Sequence, residues 1–148
     1  MGKSPHPDEY FVGAYFKVEI DGVAVADFRE ADGLTVHREV VEYQEGGENS
    51  KTHKLLGPTR WSNIVLRRGV SSSVDFWTWM KKTIDAQEIE RKNGAIIAVN
   101  QKGEPKARWD FVGGWPCRYE GPRMDSLDSE IKIELIEIAH DGFTFKKS

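Results

Sequence analysis

The stretch Ser72–Arg91, SSVDFWTWMKKTIDAQEIER, is the one segment with a clear helical period, and the long apolar runs on either side of it read as strand. The chain is therefore expected to be mainly β: a small barrel or sandwich with one α-helix inserted over about residues 72–91. Ser72 is placed as N-cap, and Asp75 three residues on can complete a capping box, which the positive end of the helix dipole favours. Asn93-Gly94 supplies the stop. At about 100° per residue, Phe76, Trp77, Met80 and Ile84 form one stripe for burial on the sheet, while Thr78, Lys81, Lys82 and Asp85 face away. Trp77 and Trp79 lie about 200° apart and cannot both point inward, so Trp77 goes with the stripe and Trp79 with its edge. Burying two aromatics of roughly 150–250 Å² represents about 4–6 kcal/mol each, so packing rather than propensity holds this helix.

Before the helix, Phe16, Val18 and Ile20 alternate with Lys17 and Glu19, and Asp21-Gly22 leads into Val23, Val25 and Phe28, the strongest hairpin signal in the chain. Ala31-Asp32-Gly33 breaks the pairing, and residues 34–44 resume an extended run whose phase slips at Val40-Val41, as a bulge would make it do. Glu45–Pro58 reads as a long loop. Connections of that length tend to be disordered or functional, and the Leu55-Leu56 pair near its end argues for contact with something. Residues 61–68 return to strand. After the helix, residues 95–99, with Ile96 and Ile97 central, suit a strand covered on both faces, and Gln101–Glu104 is its turn. Residues 106–112 alternate cleanly to Gly113-Gly114, Trp115-Pro116 restarts the chain as an edge strand or bulge because Pro lacks an N–H, and Gly121-Pro122 ends it. In residues 130–139, Ile131, Ile133 and Leu135 share one face before Ile136 and Ile138 take the other, a pattern of cover that changes sides. Seven or eight strands leave edges that must be closed, covered or paired with another subunit.

At 148 residues the chain is one domain long and needs no staples. Residues 1–9 hold two prolines and read as a flexible arm, followed by a single domain over 10–148. Cys117 is alone and cannot form an internal disulfide. MGKSPHPDEY has no signal-peptide core, and no apolar run approaches a membrane span, so production in a reducing cytoplasm is expected. A net charge of −3 gives no general affinity for nucleic acid, and Arg67-Arg68, Lys81-Lys82 and Arg91-Lys92 read as solvated or interface charges.

Nothing points to chemistry. His6, His37, His53 and His140 have no ligand-spaced partners, and Gly2-Lys3-Ser4 lacks the earlier glycine and the strand of a phosphate loop. Cys117 follows Trp-Pro in expected strand rather than an activating environment, and Asp125 and Asp128 sit in a polar turn. No catalytic, metal or cofactor residue is assigned, and the protein is expected not to be an enzyme.

Several stretches together resemble the tail-tube protein family of contractile phage tails and phage-tail-like injection systems, including the extracellular contractile kind. They are Phe11–Ile20 with its Asp-Gly turn, Gly46-Gly47-Glu48-Asn49 before His53-Lys54-Leu55 and Gly57, and the aromatic helix Asp75–Trp79 followed by Arg91-Lys92-Asn93-Gly94. Arg108-Trp109-Asp110-Phe111, Gly114-Trp115-Pro116 with Gly121-Pro122, and Glu130–His140 ending in Asp141-Gly142 complete the set. The architecture is also similar to that of the secreted ring protein of type VI systems. The resemblance implies six copies in a ring, rings stacked into a rigid hollow tube within a contractile sheath, and baseplate, tube-terminating and cargo partners. It implies assembly in the producing cell before the tube becomes part of a virion tail or released device. By the same resemblance Gly46, Gly47, Glu48, Asn49, Lys51, His53, Lys54 and Leu55 form the loop reaching the adjacent ring. The helix then sits outside the barrel, with Phe76, Trp77, Met80 and Ile84 on the sheet and Lys81, Lys82 and Asp85 toward the sheath. The alternatives are a specialised baseplate or tip ring of the same fold and a monomeric ligand-binding barrel, which would need an apolar cavity.

Overall fold

A computed structural model of the chain describes residues 15–44, 46, 51–69, 75–85, 89–121 and 133–147. The arm at 1–9, the domain start near residue 10, the Ser72 cap, Ile131 and the Asp125 and Asp128 turn lie outside those residues. The elements in order are β1 (Tyr15–Ile20), β2 (Val23–Phe28), β3 (Glu30–Asp32), β4 (Val36–Gln44), β5 (Thr52–Trp61), β6 (Ile64–Gly69), α1 (Asp75–Asp85), β7 (Lys92–Val99), β8 (Pro105–Glu120), β9 (Ile133–Ala139) and β10 (Phe143–Lys147). The expected β1–β2 hairpin forms, and Asp21 (φ 53°) with Gly22 (φ 80°) gives the two left-handed residues that a tight primed turn requires.

Every pairing is antiparallel, and the main path runs β2-β1-β7-β8-β9-β6-β3, with β10 also on β8 and β4–β5 forming a separate ribbon. The 16-residue strand β8 belongs to two layers. Its first half lies between β7 and β10; its second half pairs with β9. The passage occurs at Gly113, whose φ of 63° bends the strand, so the expected break at Gly113-Gly114 is a kink within one strand. Among the described residues the path does not close. Its end strands β2 and β3 are separated in sequence by Arg29 alone, whose N–H donates to Arg67 O at 2.9 Å. The result is a sandwich rolled toward a barrel.

Its core takes alternate residues from both layers, with Val18, Phe28, Ile64, Leu66, Ile96, Phe111 and Ile138 fully enclosed. Burial of such side chains contributes about 1.5–3 kcal/mol each. Helix α1 lies against β8 and closes one side with Phe76 and Trp79, the Phe76 ring standing edge-on to Phe28 at 5.4 Å.

Several expectations are corrected. The helix is shorter than 72–91: Asp85 is its last described residue, and Ile89–Arg91 are not helical. Glu90 accounts for this by folding back onto it, its carbonyl accepting the Trp79 Nε1–H at 3.3 Å and its carboxylate meeting Lys82 Nζ at 3.0 Å. Asn93-Gly94 is thus no helix stop but part of β7, and Gly94 is required because a Cβ would run into Glu19 O and the Phe111 ring. The inward stripe is buried Phe76 and Trp79 with half-buried Met80 and Thr83, roughly 60° round from the expected one. Trp79 is 5% exposed, whereas Trp77 and Ile84 are 45% and 60% exposed. Trp79 wins the inward position because its indole N–H finds the Glu90 carbonyl there.

In β9 the buried face does not switch: Glu134, Ile136 and Ile138 share it, while Ile133 is exposed. A carboxylate at a core position imitates a change of face. The bulge expected in β4 is instead in β5, where Gly57 and Pro58 together oppose Glu39. Pro116, as expected, sits at a bulge, between β8 and β9. The largest difference is at 45–58, where Thr52–Pro58 is strand, not loop.

Gly33 fixes the exit from β3. Its φ is 81°, and a Cβ there would fall on the Asn63 backbone carbonyl. Gly33→Ala is expected to cost roughly 1–3 kcal/mol, read as a lower urea midpoint with an unchanged m-value.

Candidate assembly surface

The β4–β5 ribbon stands apart from the two layers, and its register explains both its shape and its instability alone. Val41 pairs with Leu55, Glu42 with Lys54 and Tyr43 with His53; Val40 pairs with Leu56 on the face opposite Val41 and Leu55. Each face therefore carries an apolar cross-strand pair. Leu55 is 52% and Leu56 79% exposed, and Val40, Val41 and Tyr43 are exposed too. Isolated two-stranded ribbons are marginal in water, and one with two wet apolar faces is built to be covered on both.

Of the residues expected in an inter-ring loop, His53, Lys54 and Leu55 lie in β5, Lys51 immediately precedes it, and Gly46 is in a turn. Gly47, Glu48 and Asn49 lie outside the described residues. The ribbon's direction is set at its base. Trp61 packs on Phe143 at 4.8 Å and on His140 at 6.1 Å, Ser62 N–H donates to Thr35 O, and His140 Nε2 donates to Ser62 O at 2.8 Å. That tautomer leaves Nδ1 to accept the Gly142 N–H at 3.0 Å. His140, for which the sequence showed no ligand-spaced partner, is a clamp holding the ribbon to the body. His140→Ala is expected to cost about 1–2 kcal/mol and to raise hydrogen exchange in residues 52–61 more than in β7.

The second exposed region is the flank of α1. Trp77 lies on Tyr119 with rings 5.4 Å apart, and Ile84 and Ile89 are exposed nearby in sequence. Lys81, Lys82 and Asp85 are all exposed, as expected, with Lys82 engaged by Glu90. The third is a pair of edges: among the described residues, β2 pairs only with β1 and β10 only with β8. Beside the β10 edge, Phe145 stacks on Trp109 at 5.4 Å and remains 55% exposed.

Beneath α1 a cavity of about 10 Å³, water-sized, is lined by Phe28, Arg68, Phe76, Tyr119 and Glu134. Arg68 pairs with Glu134 there, its guanidinium 5.1 Å from the Phe28 ring and 5.3 Å from Phe76, and Tyr119 Oη donates to Glu134 Oε2 at 3.0 Å. Burial, then the bond to Glu134, push the Tyr119 phenol above its usual range. Arg68 is thus no surface cation. Cys117 is half-buried beside Glu137, and burial with that carboxylate raises its thiol pKa, the opposite of an activated nucleophile. No group of three or more His, Cys, Asp or Glu capable of holding a metal occurs among the described residues.

Among protein families, T4-like virus tail tube protein gp19 matches residues 12–144. The chain belongs to this tail tube protein family. No curated protein matches it. Its fold is shared with a chain of the PVC sheath–tube complex of an extracellular contractile injection system, in the extended state. Identity there is 24%, the TM-score is 0.77, and 90% of this chain and 88% of that one are covered. It is likewise similar to a chain in the structure of the anti-feeding prophage cap, the AFP tube-terminating cap, at 25% identity and a TM-score of 0.79, covering 100% of this chain and 95% of that one. Hcp1 from Flavobacterium johnsoniae is a more distant relative in fold, 15% identical with a TM-score of 0.54 over 90% of this chain and 96% of that one. A tail tube protein is a structural subunit. No helix among the described residues is long and apolar enough to cross a membrane.

Proposed function

We propose that this tail tube protein forms six-membered rings that stack into a hollow conduit within a contractile sheath. The observation that carries this is the ribbon β4–β5, apolar on both faces and uncovered on either. In a ring, the β10 edge of one copy continues into the β2 edge of the next, and the ribbon lies between copies of the same and the adjacent ring. Gly46 and Lys51–Leu55 make the inter-ring contact together with Gly47, Glu48 and Asn49. Lys81, Lys82 and Asp85 face the sheath and give it a polar surface to slide past, while Trp77 and Ile84 are covered at the helix flank. The protein catalyses nothing and needs no cofactor. It assembles in the cytoplasm of the producing cell and then works in the particle as a rigid passage for cargo.

A ring at the cap or baseplate of the same machine is the second reading, supported by the full-length likeness to a chain of a cap structure. Negative-stain electron microscopy of the purified protein across a concentration series separates the two. Stacked tubes with an open bore support the main tube, and six-fold rings that never stack support the terminal ring. Featureless monomers at every concentration sink both.

A further inference from the structure

The layer β2-β1-β7-β8-β10 has one face in the core and one turned away from it. On the outward face, register sets Asp27, Lys17, Ile97, Arg108 and Lys146 in one cross-strand row. The next row is Glu19, Ala95, Asp110 and Thr144. Arg108 ties the two together: Nε donates to Asp110 Oδ1 at 2.7 Å, and Nη2 reaches across β7 to Glu19 Oε2 at 3.0 Å. Lys146 Nζ meets Asp110 Oδ2 at 3.7 Å. The hydrogen bond it donates to Asp110 holds the guanidinium above even its ordinary high pKa. Ala95 and Ile97 are buried on this outward side because charged side chains bridge over them.

The outward face of the other layer also carries paired charges, Arg67 with Glu30 and Arg118 with Glu120, but beside an exposed Ile133. The ribbon, the helix flank and the β10 edge carry exposed Leu, Val, Trp, Ile and Phe, the kind of surface that subunit contacts remove from water. Among its described side chains, the β2-β1-β7-β8-β10 face exposes large apolar ones only at its margin, at Val112. We infer that it lines the conduit, as a wall of mutually neutralised charges that fits a polypeptide of mixed surface charge rather than a polyanion; this rests on the tube reading above.

Three cations, Lys17, Arg108 and Lys146, stand against three anions, Glu19, Asp27 and Asp110. Such a wall projects little field beyond a Debye length of about 8 Å at physiological salt. Cargo of either net charge is then neither held nor repelled at a distance, and ordered water remains between it and the wall. A polyanion has no uncompensated cationic track to follow, because the central cation of the row is already shared between two carboxylates.

The test places one thiol on the face, Thr144→Cys in a Cys117→Ser background, with Lys146→Cys as the second position should the first impair folding. Assembled tubes and unassembled protein are treated with small thiosulfonates, one cationic and one anionic, and with a maleimide on a polymer wider than the bore. The expected result is labelling of tubes by both small reagents at rates within about twofold of each other. Polymer labelling should fall, on assembly, to the fraction contributed by tube ends. Polymer labelling as fast in tubes as in the unassembled protein puts the face outside and overturns the inference. Protection from all three reagents puts it in a subunit contact and does the same, and a many-fold preference for one charge overturns the neutral wall. Absence of tubes from the unsubstituted protein is a separate failure, that of the tube reading itself.

Discussion

Glu134→Ala is expected to lower the unfolding free energy by about 3–5 kcal/mol, because it leaves Arg68 charged, buried and without its partner. The guanidinium is enclosed by Phe28, Phe76 and the cavity wall; the rings offer cation–π attraction but no hydrogen-bond acceptor. Tyr119 loses its acceptor at the same time. The cost should fall on the whole fold, since β6 pairs with β9 at Arg68–Glu134 and α1 lies directly above. Urea unfolding at neutral pH reads it. The paired replacement Arg68→Met with Glu134→Leu removes both charges and should recover most of the loss, because well-packed apolar side chains replace a buried ion pair at little cost. A Glu134→Ala protein as stable as the parent would show that water reaches Arg68.

This pair also marks where sequence reading stops. Elements whose pattern is local were legible: the Asp21-Gly22 turn, the alternation of β1, and a helix centred on Phe76–Met80. What misled was each place where a partner distant in sequence decides the outcome. Glu134 breaks the apolar period of β9 because Arg68, 66 residues away, makes a carboxylate tolerable in the core. Trp79 displaces Trp77 because Glu90 lies beyond the helix and supplies an acceptor no periodicity can see. Gly94, chosen as a helix stop, is a glycine because Phe111 and Glu19 crowd it. Thr52–Pro58 looked like loop because it follows two adjacent glycines in a largely polar segment; opposite Glu39, Gly57 and Pro58 are absorbed as a bulge and the strand runs on.

The candidate surface was legible in the same uneven way. The Leu55-Leu56 pair announced contact, and the family likeness pointed to the neighbouring ring. Only the cross-strand register shows that the two leucines point to opposite faces, so that the segment is a ribbon with two surfaces to cover rather than a loop with one. The aromatic clamp at its base, made by Trp61, His140 and Phe143, had no sequence signal, since the three come from different elements and share no spacing.

Leu56→Asp is expected to leave the monomer folded and to abolish stacked tubes. Leu56 is 79% exposed, so in the free subunit the substitution touches no core and should change stability by no more than about 0.5 kcal/mol. In the proposed tube the same position is covered, and each copy would have to bury a carboxylate with no partner, at several kcal/mol per contact. Every ring repeats the penalty, so elongation should fail even where a single ring survives. Leu55→Asp makes the same test of the opposite face, where Val41 and Tyr43 lie. Loss of tubes from both variants means the ribbon is covered on both sides. Loss from one alone identifies the face that meets the next copy and leaves the other to solvent or sheath. Tubes of normal length from both, seen by electron microscopy beside unchanged thermal melts of the monomers, would refute the role assigned to the ribbon, and assembly would then have to rest on the β2 and β10 edges.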